Sequence, residues 1–343
     1  MSSPKVLLIY TGGTIGMVEN ADSSALHPVN FDQLIDEIPE LSKLDVEITV
    51  KSIEPPIDSS NMQIANWIKM AEIIEDAYLN FDGFVILHGS DTMAYTGSAL
   101  SFLLENLNKA VILTGSQLPI GKIRTDGKEN LITAIEIAAA KMNGKSLVPE
   151  VAIYFEYSLY RANRTTKLSA EHFEAFQSPN YPLLVEAGVN LKYNNQVIHD
   201  SNKNQLRVHK KLDDNIASIK IFPGIRKEVF QSISSIPNLK GLILETYGGG
   251  NAPQLEWLIE ELKKLMHQGV LIVNISQCVS GSVDQSKYET GRFLEEIGVL
   301  GGKDLTYEAA ISKLMFLLAS DDDNLDQKKD LFLTNLRGEM MDA

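Results

Sequence analysis

Four polar side chains lie where apolar runs of this sequence stop. Thr14 follows Val6-Leu7-Leu8-Ile9, Ser90 and Asp91 follow Phe84-Val85-Ile86-Leu87, and Lys167 comes after Val151-Ala152-Ile153-Tyr154-Phe155. A threonine hydroxyl attacks a carbonyl once its proton is removed, and a lysine can be the base that removes it. Backbone N–H groups at glycine-rich turns and helix starts then stabilise the oxyanion. Asp91 is suited to hold a substrate ammonium group. Each residue also has a plain structural alternative. A threonine at a strand end commonly caps a turn, and Lys167 sits beside Arg161 and Arg164 as one more solvated charge. His88, directly after an apolar run, reads as a hydrogen-bonded core residue rather than a base.

The turn after the first strand, Thr11-Gly12-Gly13-Thr14-Ile15-Gly16, offers a second hydroxyl in Thr11 and two glycines that permit a sharp bend and close approach to a ligand. It lacks the Gly-x-Gly-x-x-Gly spacing of a dinucleotide fingerprint and the Gly-Lys-Ser/Thr end of a P-loop.

Apolar runs alternating with helical patterns predict strands covered by helices on both faces of a parallel sheet. A polar stretch over 19–27 predicts a mobile loop, a candidate lid over the first turn. A helix is expected over 30–38 with Asn30 as N-cap, and a strand over 46–53. One of Ser59, Ser60 and Asn61 is expected to cap an amphipathic helix ending near residue 80, the others facing a ligand. Another helix is expected over 125–142. The fold class is therefore α/β with two domains. A larger N-terminal parallel-sheet domain (1–190) precedes an interdomain connection (191–214) and a smaller C-terminal α/β domain of flavodoxin-like type (215–343).

At 343 residues the chain exceeds one ordinary core. A formal net charge of -14 and the lack of any basic run argue against nucleic acid, which requires a basic face. The N-terminal apolar stretch is one strand long, too short for a secretion signal or a membrane span, so a cytoplasmic location is expected. The single cysteine, Cys278, excludes an internal disulfide. His172, His199, His209 and His267 show no pairing typical of metal ligands, so neither metal nor other cofactor is expected.

Taken together, Thr11-Gly12-Gly13-Thr14-Ile15, His88-Gly89-Ser90-Asp91-Thr92-Met93 and Asn163-Arg164-Thr165-Thr166-Lys167 resemble the bacterial-type L-asparaginase family. Asp58-Ser59-Ser60-Asn61-Met62, Gly115-Ser116-Gln117-Leu118-Pro119 and Tyr247-Gly248-Gly249-Gly250-Asn251-Ala252-Pro253 are similar to its cytoplasmic type I branch. The resemblance implies hydrolysis of L-asparagine to L-aspartate and ammonia through an acyl-enzyme. Thr14 matches the nucleophile, and Ser90, Asp91 and Lys167 match the second hydroxyl, the acid and the lysine. Asp91 is expected to take the substrate amino group, and Ser59, Ser60 and Asn61 to lie in the loop that grips its carboxylate. The resemblance also implies a homodimer or homotetramer in which the smaller domain completes a neighbour's site.

A second glycine-rich strand exit around Tyr247, Gly248 and Asn251 lies near another at Ser276 and Cys278 in the expected fold. These five residues are expected to form either a small-molecule site, regulatory as the resemblance implies, or a domain or subunit contact. The alternatives in function are a dual glutaminase-asparaginase, since one methylene gives only about 1–3 kcal/mol of discrimination, and a non-catalytic amino-acid-binding sensor. The asparaginase-like subunit of an archaeal tRNA amidotransferase usually carries an extra N-terminal region.

Two departures from the family pattern stand out. Ser90 replaces the usual threonine, keeping the hydroxyl without the methyl that restricts its rotamers. No tyrosine occurs between Gly16 and Pro28, where the family carries one that reaches back to the nucleophile. Either another group, with Ser23, Ser24 and His27 as candidates, takes its place, or Thr14 depends on the lysine alone.

Overall fold

The computed structural model describes residues 3–20, 23–28, 38–201 and 204–342; for 16–20 and 23–28 it describes the backbone alone. The chain forms two compact units, Met1–Lys210 and Lys211–Ala343.

The first unit is built on an eight-stranded sheet. Its strands are β1 (Lys5–Tyr10), β2 (Glu47–Ser52), β3 (Gly83–Leu87), β4 (Val111–Thr114), β5 (Val151–Phe155), β6 (Ser158–Arg161), β7 (Val185–Ala187) and β8 (Leu191–Tyr193). They lie in the order β8-β7-β6-β5-β4-β3-β1-β2. The first five pair in parallel, whereas β6, β7 and β8 are added antiparallel, so the sheet is mixed rather than wholly parallel. Every residue of β3, β4 and β5 is buried, the pattern of strands covered on both faces. β2, at the edge, alternates between exposed and half-buried residues.

Helix α1 (Ile64–Ala77), α2 (Met93–Leu103) and α3 (Gly127–Ala139) cover the sheet. Leu131 and Ile135 of α3 pack with Val6, Leu8, Val85, Ile112, Ala152 and Tyr154 on one face. Gly97 of α2 meets Ile153, which points from the opposite face because side chains alternate along a strand. Sequence periodicity does not reveal α2: ten of its eleven residues are buried, so no polar stripe marks it. Gln63 caps α1 in a capping box with Asn66, so none of Ser59, Ser60 and Asn61 is the cap. Those three form a short 3-10 turn capped by Asp58.

Met17–Asn20 pairs antiparallel with Ser23–Pro28, so a two-stranded ribbon replaces the expected irregular loop. Backbone pairing holds such a ribbon together, which is why its polar composition reads as loop. The helix expected over 30–38 lies outside the described residues except for Ile38. The expected connection also shortens, because Leu191–Tyr193 pairs with β7 and Arg207–Val208 pairs with Leu104–Glu105.

The second unit holds four parallel strands, β9 (Ile216–Lys220), β10 (Gly241–Thr246), β11 (Leu271–Ser276) and β12 (Leu300–Gly301), in sequential order. Right-handed crossovers that always step the same way place their helices on one face. Phe230, Leu258, Leu262 and Leu294 of those helices accordingly share one core, and Ala309, Leu314 and Phe332 of the last two helices fill the other. This sheet lacks the strand reversal of a flavodoxin-like domain. That reversal occurs in the larger sheet, whose parallel part runs β2-β1-β3-β4-β5.

Candidate active site

In an open α/β sheet, ligands bind beyond the carboxyl ends of the strands where the strand order reverses. Here that point lies between β1 and β3, whose exits lead to Thr14 and Ser90. Gly13 brings their exits together, and Gly12 packs the same turn against Ile57, in the segment after β2. Gly13 has a φ of 90°, and a Cβ there would lie 2.5 Å from the Gly89 nitrogen; one on Gly12, with a φ of 123°, would lie 2.3 Å from the Ile57 carbonyl. No side chain fits at either position. Thr11 is buried and donates its hydroxyl to the Leu87 carbonyl at 2.8 Å, splicing the exits of β1 and β3. Thr14, half-buried, opens the 3-10 turn Thr14–Gly16.

Ser90, Asp91 and Lys167 are brought together directly. The Lys167 Nζ donates to Ser90 Oγ at 2.8 Å and to Asp91 Oδ1 at 2.7 Å. The lysine side chain is 16% exposed and that of Asp91 66%, so the acid keeps solvent-facing room for a ligand's ammonium group. Lys167 is therefore not the solvated charge its neighbours suggest. Arg161 is buried in an ion pair with Glu150 at 2.6 Å, and Arg161 and Arg164 both stack over Tyr181. Together with the Thr165 hydroxyl on the Arg161 carbonyl, they form the platform that holds the lysine strand. Among the described residues, no group of three or more His, Cys, Asp or Glu could hold a metal ion.

Ser59 is buried against Gly89, where a Cβ would lie 2.4 Å from its Oγ, and its carbonyl accepts from the Thr92 hydroxyl at 2.7 Å. Ser60 and Asn61 are exposed on the same turn. The Ser60 N–H and hydroxyl bond Asp58, and the two bonds hold that carboxyl below its usual range. The ribbon side chains, Ser23, Ser24 and His27 among them, lie outside those described.

His88 is a core residue. Its Nδ1 lies 2.7 Å from the Gly89 carbonyl, which only accepts, so Nδ1 carries the proton. Nε2 then accepts from Thr96 at 2.9 Å, and Thr96 accepts from Trp67. Burial outweighs the Gly89 bond and pushes the imidazole down to about 4. As pH falls from about 6.5 to about 4, the unfolded chain gains a proton that the native chain refuses. Stability from this group, complete above about 6.5, is thus lost across that window, by about 3 kcal/mol. Urea unfolding of His88→Gln should show a pH slope shallower than wild type by up to one proton between these limits. Equal slopes would place the titration elsewhere.

One contributor escaped the sequence reading. Ser90 Oγ lies 3.0 Å from Gln117 Oε1, and Gln117 is anchored by Asp126, which accepts from the Gln117 and Leu118 N–H groups. Burial holds the Asp126 carboxyl above its usual range despite those bonds. The available signals were its place three residues past the end of β4 and its membership of the Gly115–Pro119 motif.

In the second unit the expected residues bond one another. Tyr247 and Asn251 exchange backbone hydrogen bonds, Asn251 accepts from Thr290, and the Ser276 hydroxyl donates to the Gly248 carbonyl at 2.6 Å. Cys278 is exposed, and its N–H donates to Ser276. Buried Asn274, overlooked in the sequence, ties Thr246 to the Gly250 carbonyl.

Residues 5–199 match the family model "Asparaginase, N-terminal", and residues 215–332 match "Glutaminase/Asparaginase C-terminal domain". The chain is 41% identical over 341 residues to L-asparaginase 1 of Escherichia coli K12, covering 99% of each. It superposes on L-asparaginase I from Vibrio cholerae with a TM-score of 0.89 at 38% identity, covering 98% of this chain and 99% of that one. With the thermostable L-asparaginase from Thermococcus kodakarensis the TM-score is 0.90 at 30% identity, covering 99% and 100%. Fold and sequence place the chain among two-domain α/β amidohydrolases. Within that class, it belongs to the asparaginase family.

Proposed function

We propose that this chain hydrolyses L-asparagine to L-aspartate and ammonia through an ester on Thr14. The observation that carries this reading is the Lys167–Ser90–Asp91 cluster, set on the strand exit that Gly13 packs against the turn bearing Thr14.

The Asp91 carboxylate holds the substrate's ammonium group, and the turn carrying Ser59, Ser60 and Asn61 holds its carboxylate. Thr14 Oγ1 attacks the side-chain amide carbon while its proton passes through the Ser90 hydroxyl to Lys167, acting as base. Backbone N–H groups near Thr14, Ser90 and Gly115 face the oxyanion. The C–N bond breaks as the amide nitrogen takes the proton back and leaves as ammonia. Water then attacks the ester, its proton returning to Thr14, and aspartate departs.

The chain works in the cytoplasm as a homodimer or homotetramer. The decisive experiment measures ammonia release from asparagine and from glutamine by wild type and Thr14→Ala. Thr14-dependent release from asparagine is expected. Equal turnover of glutamine would make this a dual enzyme, and no release from either would make it a sensor. The regulatory reading of Tyr247, Gly248, Asn251, Ser276 and Cys278 requires a sigmoidal rate curve for asparagine that Cys278→Ala alters; a hyperbolic curve unaffected by that change would remove it.

A further inference from the structure

We propose that Gln117 is a positioning residue that fixes the hydroxyl of Ser90, doing for this chain what a threonine methyl would do at that position. The proposal rests on the acyl-enzyme reading above and deepens it.

The Ser90 hydroxyl has one proton to place. In the resting site the Lys167 Nζ, paired with Asp91, donates to Ser90 Oγ, so the Ser90 O–H points to Gln117 Oε1 at 3.0 Å; when the lysine acts as base, that O–H turns to it about the Cβ–Oγ bond while Gln117 still holds the oxygen in place. The amide of Gln117 cannot be reversed, because its Nε2 donates to the His172 carbonyl at 3.1 Å and a carbonyl only accepts. Its backbone is held as firmly. The Gln117 N–H meets Asp126 Oδ2 at 2.8 Å and the Leu118 N–H meets Oδ1 at 3.1 Å, while Asn130 of α3 bonds both that carboxylate and the Gly115 carbonyl. The acceptor that Ser90 sees is therefore clamped at both ends.

His172 lies on the loop that runs on from Lys167 and returns at Phe176, the residue paired with Lys167. One side chain thus joins the Ser90 hydroxyl to the loop of the lysine it serves. A serine has three open χ1 wells where a β-branched residue is restricted. Without Gln117, Ser90 is free to turn its oxygen away from Lys167; with it, one orientation satisfies both neighbours.

The loss should therefore fall on kcat rather than KM, and should depend on which residue stands at position 90. Steady-state ammonia release from asparagine is measured for Gln117→Leu in the wild-type and Ser90→Thr backgrounds, with Gln117→Met as a second variant that keeps the side-chain length. In the wild-type background kcat should fall about 10- to 100-fold with KM within about 3-fold. In the Ser90→Thr background the same change should cost less than about 5-fold. A kcat within about 2-fold of wild type for both Gln117 variants, or equal losses in the two backgrounds, overturns the proposal while leaving the asparaginase reading intact. Wild-type protein that releases no ammonia overturns both.

Discussion

Thr14→Ala is expected to lower kcat for asparagine by at least about 10⁴-fold while the protein still folds and still binds the amino acid. The turn is held by Gly12 and Gly13 against Ile57 and Gly89 and by the Thr11 hydroxyl on Leu87, none of which involves the Thr14 side chain. Removing a half-buried hydroxyl at its tip should leave the melting temperature nearly unchanged. Asparagine binding measured by calorimetry should survive, because the proposed contacts to its charged ends come from Asp91 and the turn carrying Ser59. Ammonia release by the variant within about 10-fold of wild type would mean that another group forms the ester.

The second large effect is expected at Lys167. Lys167→Met leaves Ser90 without its donor and Asp91 without its ion-pair partner, and kcat should fall about 10²- to 10⁴-fold. Stability should change little, by less than about 1 kcal/mol, because the Asp91 side chain is two-thirds exposed and solvent screens the pair. Lys167→Arg separates two roles for the lysine. An arginine keeps the positive charge beside Asp91 but does not give up its proton. If Lys167 acts as base, the arginine variant is as inactive as the methionine one; recovery of most of the activity by arginine would reduce the lysine to an electrostatic anchor.

Both predictions concern residues that the sequence already singled out. The central strands are unbroken apolar runs because both faces of the sheet are covered, and each stops abruptly at polar residues, so Thr14, Ser90 and Asp91 could be picked out as strand-end groups. The N-terminal limits of the elements were harder to place: the helix expected from 125 starts at Gly127. Helix α2 was invisible because burial on nearly every side erases the 3.6-residue period. Strands β7 and β8 span three residues each, too short for alternation to register. Asn30 and its helix lie outside the described residues.

Lys167 and Gln117 mark the limit of local reading. Next to Arg161 and Arg164 the lysine looks like part of a solvated basic patch, yet both arginines are buried by Glu150 and Tyr181, contacts that no local pattern encodes. Gln117 acquires its role from Ser90, 27 positions earlier, and from His172, 55 positions later.

The sequence by itself determined the kinds of chemical group available, their placement at strand ends, and the family to which their order belongs. Tertiary structure alone decided that β1 lies beside β3 at the reversal of strand order, so that the turn of Thr14 meets that of Ser90, and that Lys167 reaches Ser90 across 77 positions of chain. The physical reason is that strand neighbours are chosen by packing and backbone pairing between distant segments, whereas propensity and periodicity act only within one segment.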